Sequence, residues 1–456
     1  MIQHAAIAPF LLPALTACLL LALDGRLRWQ RVVSVASALV QCAVVFRLAM
    51  AVRDGDVLVH ALGDWPVHLG IVFVLDRLAA LMLCMTAAVA LPALLHACRG
   101  ADARGRHFHA LFHFQWLGLS GAFLTGDLFN LFVCFELMLI ASYALLQHGG
   151  GATRLRNGLQ YVTLNLVASA LFLIAVSLIY RAAGTLNMAD LAVRLAAAPA
   201  VDTPWITAGA LLLAVVFLLK GAAAPLYLWL PGTYGAAAAP VAALFAVLTK
   251  VGAYAVLRVG GVVFTAVDAG AIVFEVAFVT AVATVVIAAL GALAATTLTR
   301  LAAWLGLGSS AGMLLAVGFG TSASVAGGLF YALPSTLGVA GLLLLADTIR
   351  TARGAGGDTL VRAPRMRGHA VIGAVYVALA VTVAGLPPLA GFLGKSLILA
   401  ATPGSIAVWG ALLAASMLNL VALVRAGSRL FWSVDDVLAG GTARASRPVA
   451  SAMLVL

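Results

Sequence analysis

Residues 205–231 have the sequence WITAGALLLAVVFLLKGAAAPLYLWLP. The first two thirds are apolar and approach the roughly 20 residues that a helix needs to cross a bilayer. Lys220 lies at the end of this run, and Gly221, Pro225 and Pro231 follow it. Because proline removes a backbone hydrogen bond and clashes with the preceding turn, a helix through this region should break. The stretch therefore predicts a membrane helix that is interrupted beside a lysine.

The whole chain has the composition of a membrane protein. Of its 456 residues, 64 % are hydrophobic and 9 % are charged, and the mean hydropathy is +1.11. A soluble protein is nearer half apolar and a quarter charged, so a separate catalytic or nucleotide-binding domain is nearly excluded. The net charge of +11 comes mainly from loop arginines. It does not indicate nucleic-acid binding, because no basic patch is interleaved with aromatic residues.

Thirteen apolar runs are long enough to cross a membrane, which predicts an all-α polytopic protein. We number these runs as spans 1 to 13, in order: 5–23, 32–52, 71–97, 108–125, 128–147, 158–180, 205–222, 240–262, 269–297, 301–320, 325–346, 370–401 and 405–428. A last apolar stretch, 449–456, is too short to cross. We expect it to be the start of a fourteenth helix that has been cut off.

The loop charges predict the orientation of the chain. Arginines concentrate in the connections after spans 1, 3, 5, 9, 11 and 13, whereas the connection at 53–68 carries Asp54, Asp56 and Asp64. Positively charged loops stay on the cytoplasmic side of a membrane. The alternation therefore supports thirteen crossings and places the amino terminus outside.

Span 12 repeats the features of the opening stretch. Residues 385–395, GLPPLAGFLGK, place two prolines and three glycines before Lys395. A broken helix at membrane depth is tolerated where its freed backbone groups meet protein or water. Paired broken helices mark the substrate path in many transporters. The prolines alone do not distinguish a substrate path from two helix kinks that only serve packing.

The ionisable residues favour the transport interpretation. All three lysines, Lys220, Lys250 and Lys395, and both glutamates, Glu136 and Glu275, lie in apolar spans. A charged group at a helix centre costs about 2.5–3.5 kcal/mol on insertion scales. Unlike arginine, lysine can lose its proton near neutral pH when it is desolvated.

These properties predict a proton relay formed by Glu136, Lys220, Lys250 and Lys395. At about 1.5 Å per residue, Glu136 lies about 14 Å and Lys250 about 15 Å from the start of its span. A static ion pair between Glu136 and a lysine is the alternative. For Glu275, which is about 10 Å inside its span by the same rise, function and packing remain equally open.

Other residue patterns predict neither cofactor nor metal. The five cysteines are scattered without a C-x-x-C pair, and no phosphate-binding or dinucleotide-binding fingerprint occurs. His109 and His113, which are four residues apart, could share a metal ion, but the sequence places no acidic third ligand nearby.

Four segments together resemble the antiporter-like subunits that respiratory complex I shares with multisubunit cation/proton antiporters. They are 126–136 (GDLFNLFVCFE), 217–231 (FLLKGAAAPLYLWLP), 248–254 (LTKVGAY) and 385–395 (GLPPLAGFLGK). The resemblance covers roughly residues 70–430. It implies three initial helices in 1–106, two inverted five-helix repeats in 107–262 and 263–430 with helices 7 and 12 broken, and a tail at 431–456. It also implies a first half-channel with Glu136 and Lys220, a central Lys250 and a second half-channel with Lys395.

Departures from the family pattern narrow the resemblance. Tyr227 and Tyr234 stand where complex I relatives usually have histidines, and they look like the D-type component of Mrp-type or Pha-type antiporters. Pro334 stands where relatives commonly have histidine, and Val339 lies near the position of a lysine that many relatives carry. The second half-channel is therefore expected to lack one relay group.

The resemblance implies a membrane subunit of a Na⁺(K⁺)/H⁺ antiporter in the bacterial inner membrane. Its expected partners are the other subunits of the complex, the lipid bilayer, protons and Na⁺ or K⁺, without nucleic acid or cofactor. Two alternatives remain. One is a proton-pumping arm of a quinone-linked or hydrogenase-linked complex, and the other is a scaffold whose buried charges hold an assembly together.

Overall fold

The computed structural model describes residues 3–66, 70–265, 267–364, 366, 368–432 and 434–435. The described residues form sixteen α-helices: α1 Ala8–Ala22, α2 Leu27–Ala51, α3 Arg77–Ala97, α4 Phe108–Leu124, α5 Leu128–Gln147, α6 Ala152–Ala183, α7 Met188–Ala196, α8 Thr203–Lys220, α9 Trp229–Ala236, α10 Ala239–Val262, α11 Asp268–Ala294, α12 Leu298–Phe319, α13 Ser322–Arg353, α14 His369–Ala384, α15 Ala390–Ala400 and α16 Ile406–Gly427. The prediction of an all-α polytopic membrane protein is confirmed.

Ten helical segments within the described residues are long and apolar enough to cross a membrane. The helices α1, α14 and α15 are apolar but shorter. The count of thirteen crossings and the inverted repeats remain predictions. Apart from its first residues and the strand β4, the predicted tail at 431–456, including the expected fourteenth helix, lies outside the described residues.

Short strands occupy two connections. Strand β1, Leu58–Ala61, pairs antiparallel with β2, Val72–Leu75, and β3, Ala363–Pro364, pairs in parallel with β4, Val434–Asp435. The prediction that span 3 is helical from residue 71 is wrong. Residues 72–75 are apolar like the helix that follows, so hydropathy alone cannot separate them, but their backbone pairs with β1.

Two helices end where proline and glycine cluster. Helix α8 ends at Lys220, and the next helix, α9, begins only at Trp229. Helix α14 ends at Ala384, where Gly385 has a φ of 76°, and α15 begins at Ala390. The left-handed φ at Gly385 favours glycine, and no side chain would be accommodated there without strain.

The centre of the molecule is formed by α10 and α12, which are almost completely buried. Peripheral helices such as α2, α6, α11 and α16 expose apolar faces, with Phe46, Leu159 and Val279 among the exposed side chains. Such surface is suited to lipid or to other membrane helices. Helix α10 therefore holds Lys250 away from the periphery.

Candidate functional site

Lys220, the last residue of α8, is buried at the first helix interruption. It is 3 % exposed, and its Nζ donates a hydrogen bond of 3.0 Å to the side-chain oxygen of Asn165 in α6. The same nitrogen lies 5.8 Å from the centre of the Phe135 ring, which is within cation–π range. An amide and an aromatic face therefore hold this amine.

Glu136 of α5 is connected to the same region through α6. Its carboxylate accepts a hydrogen bond from Ser169 Oγ, which also lies 3.0 Å from the backbone oxygen of Asn165. Asn165 and Ser169 are one helical turn apart and share a face of α6. Within the described residues, Glu136 and Lys220 are each hydrogen-bonded to α6 and make no direct ion pair.

Lys250 lies in the middle of α10 and is 1 % exposed. Helix α10 packs directly on the first interruption, because a Cβ atom added to Gly252 would overlap the backbone nitrogen of Gly221. Ser310 of α12 joins the two segments: its Oγ lies 3.0 Å from Gly221 O and 3.2 Å from Thr249 O. The Ser310 hydroxyl is thus within hydrogen-bond distance of the backbone beside both Lys220 and Lys250.

Lys395 of α15 is folded back over the second interruption. Its Nζ donates hydrogen bonds to the carbonyl oxygen of Ala384 at 2.7 Å and to Ser416 Oγ of α16 at 2.9 Å, and it lies 3.4 Å from the carbonyl oxygen of Val383. These carbonyls belong to the last turn of α14, where helical partners are missing. The helix end thus supplies acceptors to a buried amine.

A cavity of about 20 Å³ lies against Lys395, a volume that holds about one water molecule. Its polar lining comes from four helices: Ser309, Tyr331, Ser335, Lys395, Ser416 and Asn419. Ser309 and Ser335 are hydrogen-bonded at 2.8 Å. Ser309 and Ser310 are neighbours on α12. This helix therefore has one polar contact beside Lys220 and Lys250, through Ser310, and one at the Lys395 cavity, through Ser309.

The sequence interpretation missed the groups that connect the charges. Asn165 and Ser169 in span 6 and the adjacent serines of span 10 are small polar residues inside apolar runs. That polarity is a usable signal, but many such hydroxyls bond only to their own helix. On α13, which contains Pro334, the hydroxyls of Tyr331 and Ser335 line the cavity beside Lys395.

Glu275 and the two family-diagnostic tyrosines occupy different surroundings. Glu275 is exposed on α11, and the described residues provide it with no hydrogen bond or ion pair. Tyr234 is fully buried, and its hydroxyl donates to the carbonyl oxygen of Phe245, whereas the ring of Tyr227 lies 6.0 Å from that of Trp304. None of the three is hydrogen-bonded to a lysine in the described structure.

The histidines at the start of α4 have an acidic neighbour, so the expectation that none lies nearby is wrong. Cys98, Asp102 and His109 offer ligand atoms within 4.8 Å of one another. However, Arg31 donates two hydrogen bonds to Asp102, at 2.6 and 2.8 Å, and His109 Nε2 lies 3.1 Å from it. Burial raises the pKa of this carboxyl, but the hydrogen bonds from His109 and Arg31 outweigh burial and lower the pKa to about 2. The carboxylate is therefore neutralised by arginine rather than free for a metal.

Comparisons with known proteins place these residues in a family. The family described as "NADH:quinone oxidoreductase/Mrp antiporter, TM" matches residues 125–420. The D-type component of a probable K⁺/H⁺ antiporter of Rhizobium meliloti (strain 1021) is 41 % identical, over 95 % of this chain and 87 % of the relative. The D-type component of a Na⁺/H⁺ antiporter of Bacillus subtilis (strain 168) is 36 % identical, over 94 % of this chain and 87 % of the relative.

A solved structure has the same fold. A chain in the structure of the Mrp complex from Dietzia sp. DQ12-45-1b superposes with a TM-score of 0.85 at 29 % identity, covering 94 % of this chain and 80 % of that chain. The family match spans Glu136, Lys220, Lys250 and Lys395, and the relatives match nearly the whole chain. This chain belongs to the family of transmembrane subunits shared by NADH:quinone oxidoreductase and the Mrp antiporters.

Proposed function

We propose that this chain conducts protons as a subunit of a multisubunit Na⁺(K⁺)/H⁺ antiporter. The observation that carries the proposal is the series of three buried lysines with polar groups between them. Ser310 bridges the backbone beside Lys220 and Lys250, and Ser309, its neighbour on α12, lines the cavity beside Lys395. Relatives named as components of K⁺/H⁺ and Na⁺/H⁺ antiporters support the cation part of the proposal. Lysine and glutamate can gain and lose protons, as a relay requires.

The first part of the relay is Glu136 and Lys220. A proton that reaches Glu136 passes through the Ser169 hydroxyl, and water completes the connection to Lys220. Asn165 holds the Lys220 ammonium by accepting its hydrogen bond but does not carry the proton, because an amide oxygen has no proton to give. The two α6 residues therefore have different roles, one transferring and one positioning.

The second part runs from Lys250 to Lys395. A proton on Lys220 repels a proton on Lys250, since like charges in a medium of low dielectric interact strongly. The proton on Lys250 then moves towards the cavity between α12, α13 and Lys395. There, water and the hydroxyls of Ser309 and Ser335 transfer it, and Lys395 takes it up beside the carbonyl groups of α14.

The proposed antiporter includes other subunits and lies in the bacterial inner membrane. The relay contains three amines and one carboxylate, a set that suits protons and repels metal cations. We therefore infer that Na⁺ or K⁺ travels at least partly through other subunits. The arginine-rich connections face the cytoplasm in this arrangement, and the amino terminus lies outside.

The experiment measures cation-dependent proton flux in membrane vesicles from a host without its own exchangers. The whole complex is expressed, a pH-sensitive dye reports proton movement, and Na⁺ and K⁺ pulses start exchange. Glu136→Ala and Lys220→Ala should each abolish the flux while a native gel shows the assembled complex. Lys220→Arg should also abolish it, because arginine keeps the charge but does not release its proton.

A matched control is Glu275→Ala, which removes a glutamate from an apolar helix where the described structure gives it no partner. It should leave the flux unchanged. Near-normal exchange in both Glu136→Ala and Lys220→Ala would refute the relay. Activity retained in Lys220→Arg but lost in Lys220→Ala would instead identify a static charge.

The redox-linked alternative makes a different prediction for the purified complex. A proton-pumping arm of an oxidoreductase would copurify with flavin or iron–sulfur absorption, whereas an antiporter complex would be colourless. The names of the curated relatives favour the antiporter. We therefore expect no absorption band from either cofactor.

A further inference from the structure

One face of α4 carries four polar side chains that the relay does not use. His109, His113, Trp116 and Ser120 follow one another at intervals of four, three and four residues, so they lie along one side of the helix. All four are buried, with exposures of 1 %, 1 %, 0 % and 0 %. The ring of Trp116 also stacks on that of His113, with centres 6.1 Å apart. The row covers about 16 Å along the helix axis.

Each of these side chains has a buried polar atom without a hydrogen-bond partner in the described structure. The atoms are His109 Nδ1, His113 Nδ1, Trp116 Nε1 and Ser120 Oγ. Leaving one buried polar group unpaired costs about 1–3 kcal/mol, and backbone and side-chain polar groups in a membrane must be satisfied by protein or water. Four such atoms in a row therefore indicate bound water.

A second tryptophan, Trp229, is equally buried but has a protein acceptor for its indole N–H, and it serves as a comparison. Trp229 is 1 % exposed, and its Nε1 donates to the carbonyl oxygen of Leu219 at 3.1 Å. Trp116 is equally buried, yet its donor has no such acceptor in the described structure. The two tryptophans therefore differ in the hydrogen bonding of Nε1 and not in the burial of the ring.

An arginine–aspartate pair lies at each end of the row. At the arginine-rich end, Asp102 contacts His109 and Arg31. At the other end, the Tyr254 hydroxyl of α10 donates to the carbonyl oxygen of Phe123, one turn beyond Ser120, at 2.7 Å. Arg258 donates to that hydroxyl at 2.9 Å and to Asp76 at 2.8 Å. An ion pair therefore covers each end of the row, and of the two arginines Arg31 at the arginine-rich end has the more exposed side chain, 34 % against 12 % for Arg258.

The contact between Tyr254 and α4 shows at which level Lys250 lies relative to the row. Lys250 lies one turn before Tyr254 on the same face of α10, and Tyr254 contacts α4. In the predicted alternation of spans, α4 and α10 correspond to spans 4 and 8 and so run in the same direction across the membrane. Lys250 is therefore level with the region of α4 around Ser120.

We propose that this face of α4 lines a hydrated path that carries protons from the arginine-rich side of the membrane to Lys250, separately from Glu136 and Lys220. An imidazole accepts a proton at one nitrogen and releases one from the other, and a serine hydroxyl does the same through its oxygen. Trp116 only donates, so it orients water without carrying the proton. Each transfer moves one proton and leaves the side chains unchanged after they reorient.

The path suits protons rather than Na⁺ or K⁺. The unpaired atoms are three nitrogens and one hydroxyl oxygen, and an indole N–H cannot bind a cation. That the path delivers protons to Lys250 rests on the proposed function, whereas the presence of water does not.

The hydration is tested by X-ray hydroxyl-radical footprinting of the intact complex in lipid nanodiscs. Radicals formed from bound water oxidise neighbouring tryptophans, so Trp116 should be modified at least about tenfold faster than Trp229. Both rings are buried, which makes Trp229 an internal control in the same sample. Equally slow modification of the two tryptophans would overturn the proposal, whether or not the complex exchanges cations.

The proton path is tested by transport with His113→Leu and Ser120→Ala. Each removes a proton-carrying atom from this face of α4, and each should lower cation-dependent proton flux several-fold in an assembled complex. The matched control is Thr86→Val, because Thr86 is fully buried but its hydroxyl donates to Met82 of its own helix at 2.7 Å. Rapid Trp116 modification together with normal flux in both variants would refute proton transfer along this face.

Discussion

Gly252 of α10 and Gly221 at the end of α8 are in direct backbone contact. A Cβ atom on Gly252 would overlap Gly221 N and would lie 2.5 Å from Phe217 O. Both atoms belong to the backbone, so they cannot move aside as the end of a flexible side chain could. The distance between the helices that carry Lys220 and Lys250 is therefore set by the absence of a single side chain.

Gly252→Ala should impair transport more than assembly. The methyl group must push α10 away from the interruption, and overpacking of this kind costs about 1–3 kcal/mol. We expect cation-dependent proton flux to fall at least about tenfold, because the link through Ser310 lengthens. The flux is measured in vesicles with the complex quantified on a native gel.

Gly261→Ala is the matched control on the same helix. A Cβ there would meet only a side-chain carbon of Leu257 at 4.0 Å, so flux should stay normal. Equal flux in the two alanine variants would show that the close contact is not required for transport.

Asn165→Ala should reduce flux by about tenfold or more. It removes the acceptor for the Lys220 amine, and a hydrogen bond to a charged group contributes about 1.5–3 kcal/mol. Ser177→Ala serves as control, because the Ser177 hydroxyl is exposed on the same helix and bonds to Leu173 at 2.8 Å. The prediction fails if Asn165→Ala transports like Ser177→Ala.

Ser309→Ala should slow transport several-fold by removing a hydroxyl between the Lys250 region and the Lys395 cavity. Thr336→Val is the control: Thr336 is fully buried, but its hydroxyl bonds within α13 to Ala332. Initial rates of proton flux at saturating Na⁺ or K⁺ distinguish the variants. Unchanged rates in Ser309→Ala would exclude this hydroxyl from the path.

Asp102→Asn should destabilise the complex by about 2 kcal/mol at neutral pH, as expected for a pKa of about 2 against an ordinary 3.8. Because the folded-state pKa is the lower one, the stabilisation is complete above about pH 4 and is lost only as pH falls towards 2. The difference in apparent Tm from wild type should therefore be constant between pH 5 and 8. Asp54→Asn, in an exposed connection, is the control.

A Tm difference that disappears anywhere between pH 5 and 8 would contradict this assignment. It would mean that the group responsible titrates near neutrality, as a histidine does. Asp102 would then not be the source of the stabilisation.

Local sequence patterns were enough to predict the membrane class, the positions of most helices and the charged residues inside apolar runs. Hydropathy over about 20 residues is a strong local signal, and lysine or glutamate within such a run is visible without coordinates. Proline and glycine near Lys220 and Lys395 likewise indicated interruptions. These properties depend on residues that are close together in the chain.

The groups that connect these charged residues became visible only once the helices were packed together. Asn165 is far in sequence from Lys220, and Ser309 is far from Lys395, so no spacing rule relates them. The strand at 72–75 and the pairing of Asp102 with Arg31 also depend on distant segments. So does the row on α4, in which each side chain has one polar atom without a partner in the described structure. A hydroxyl or amide in an apolar helix acquires a partner, or lacks one, only when its neighbours are packed against it.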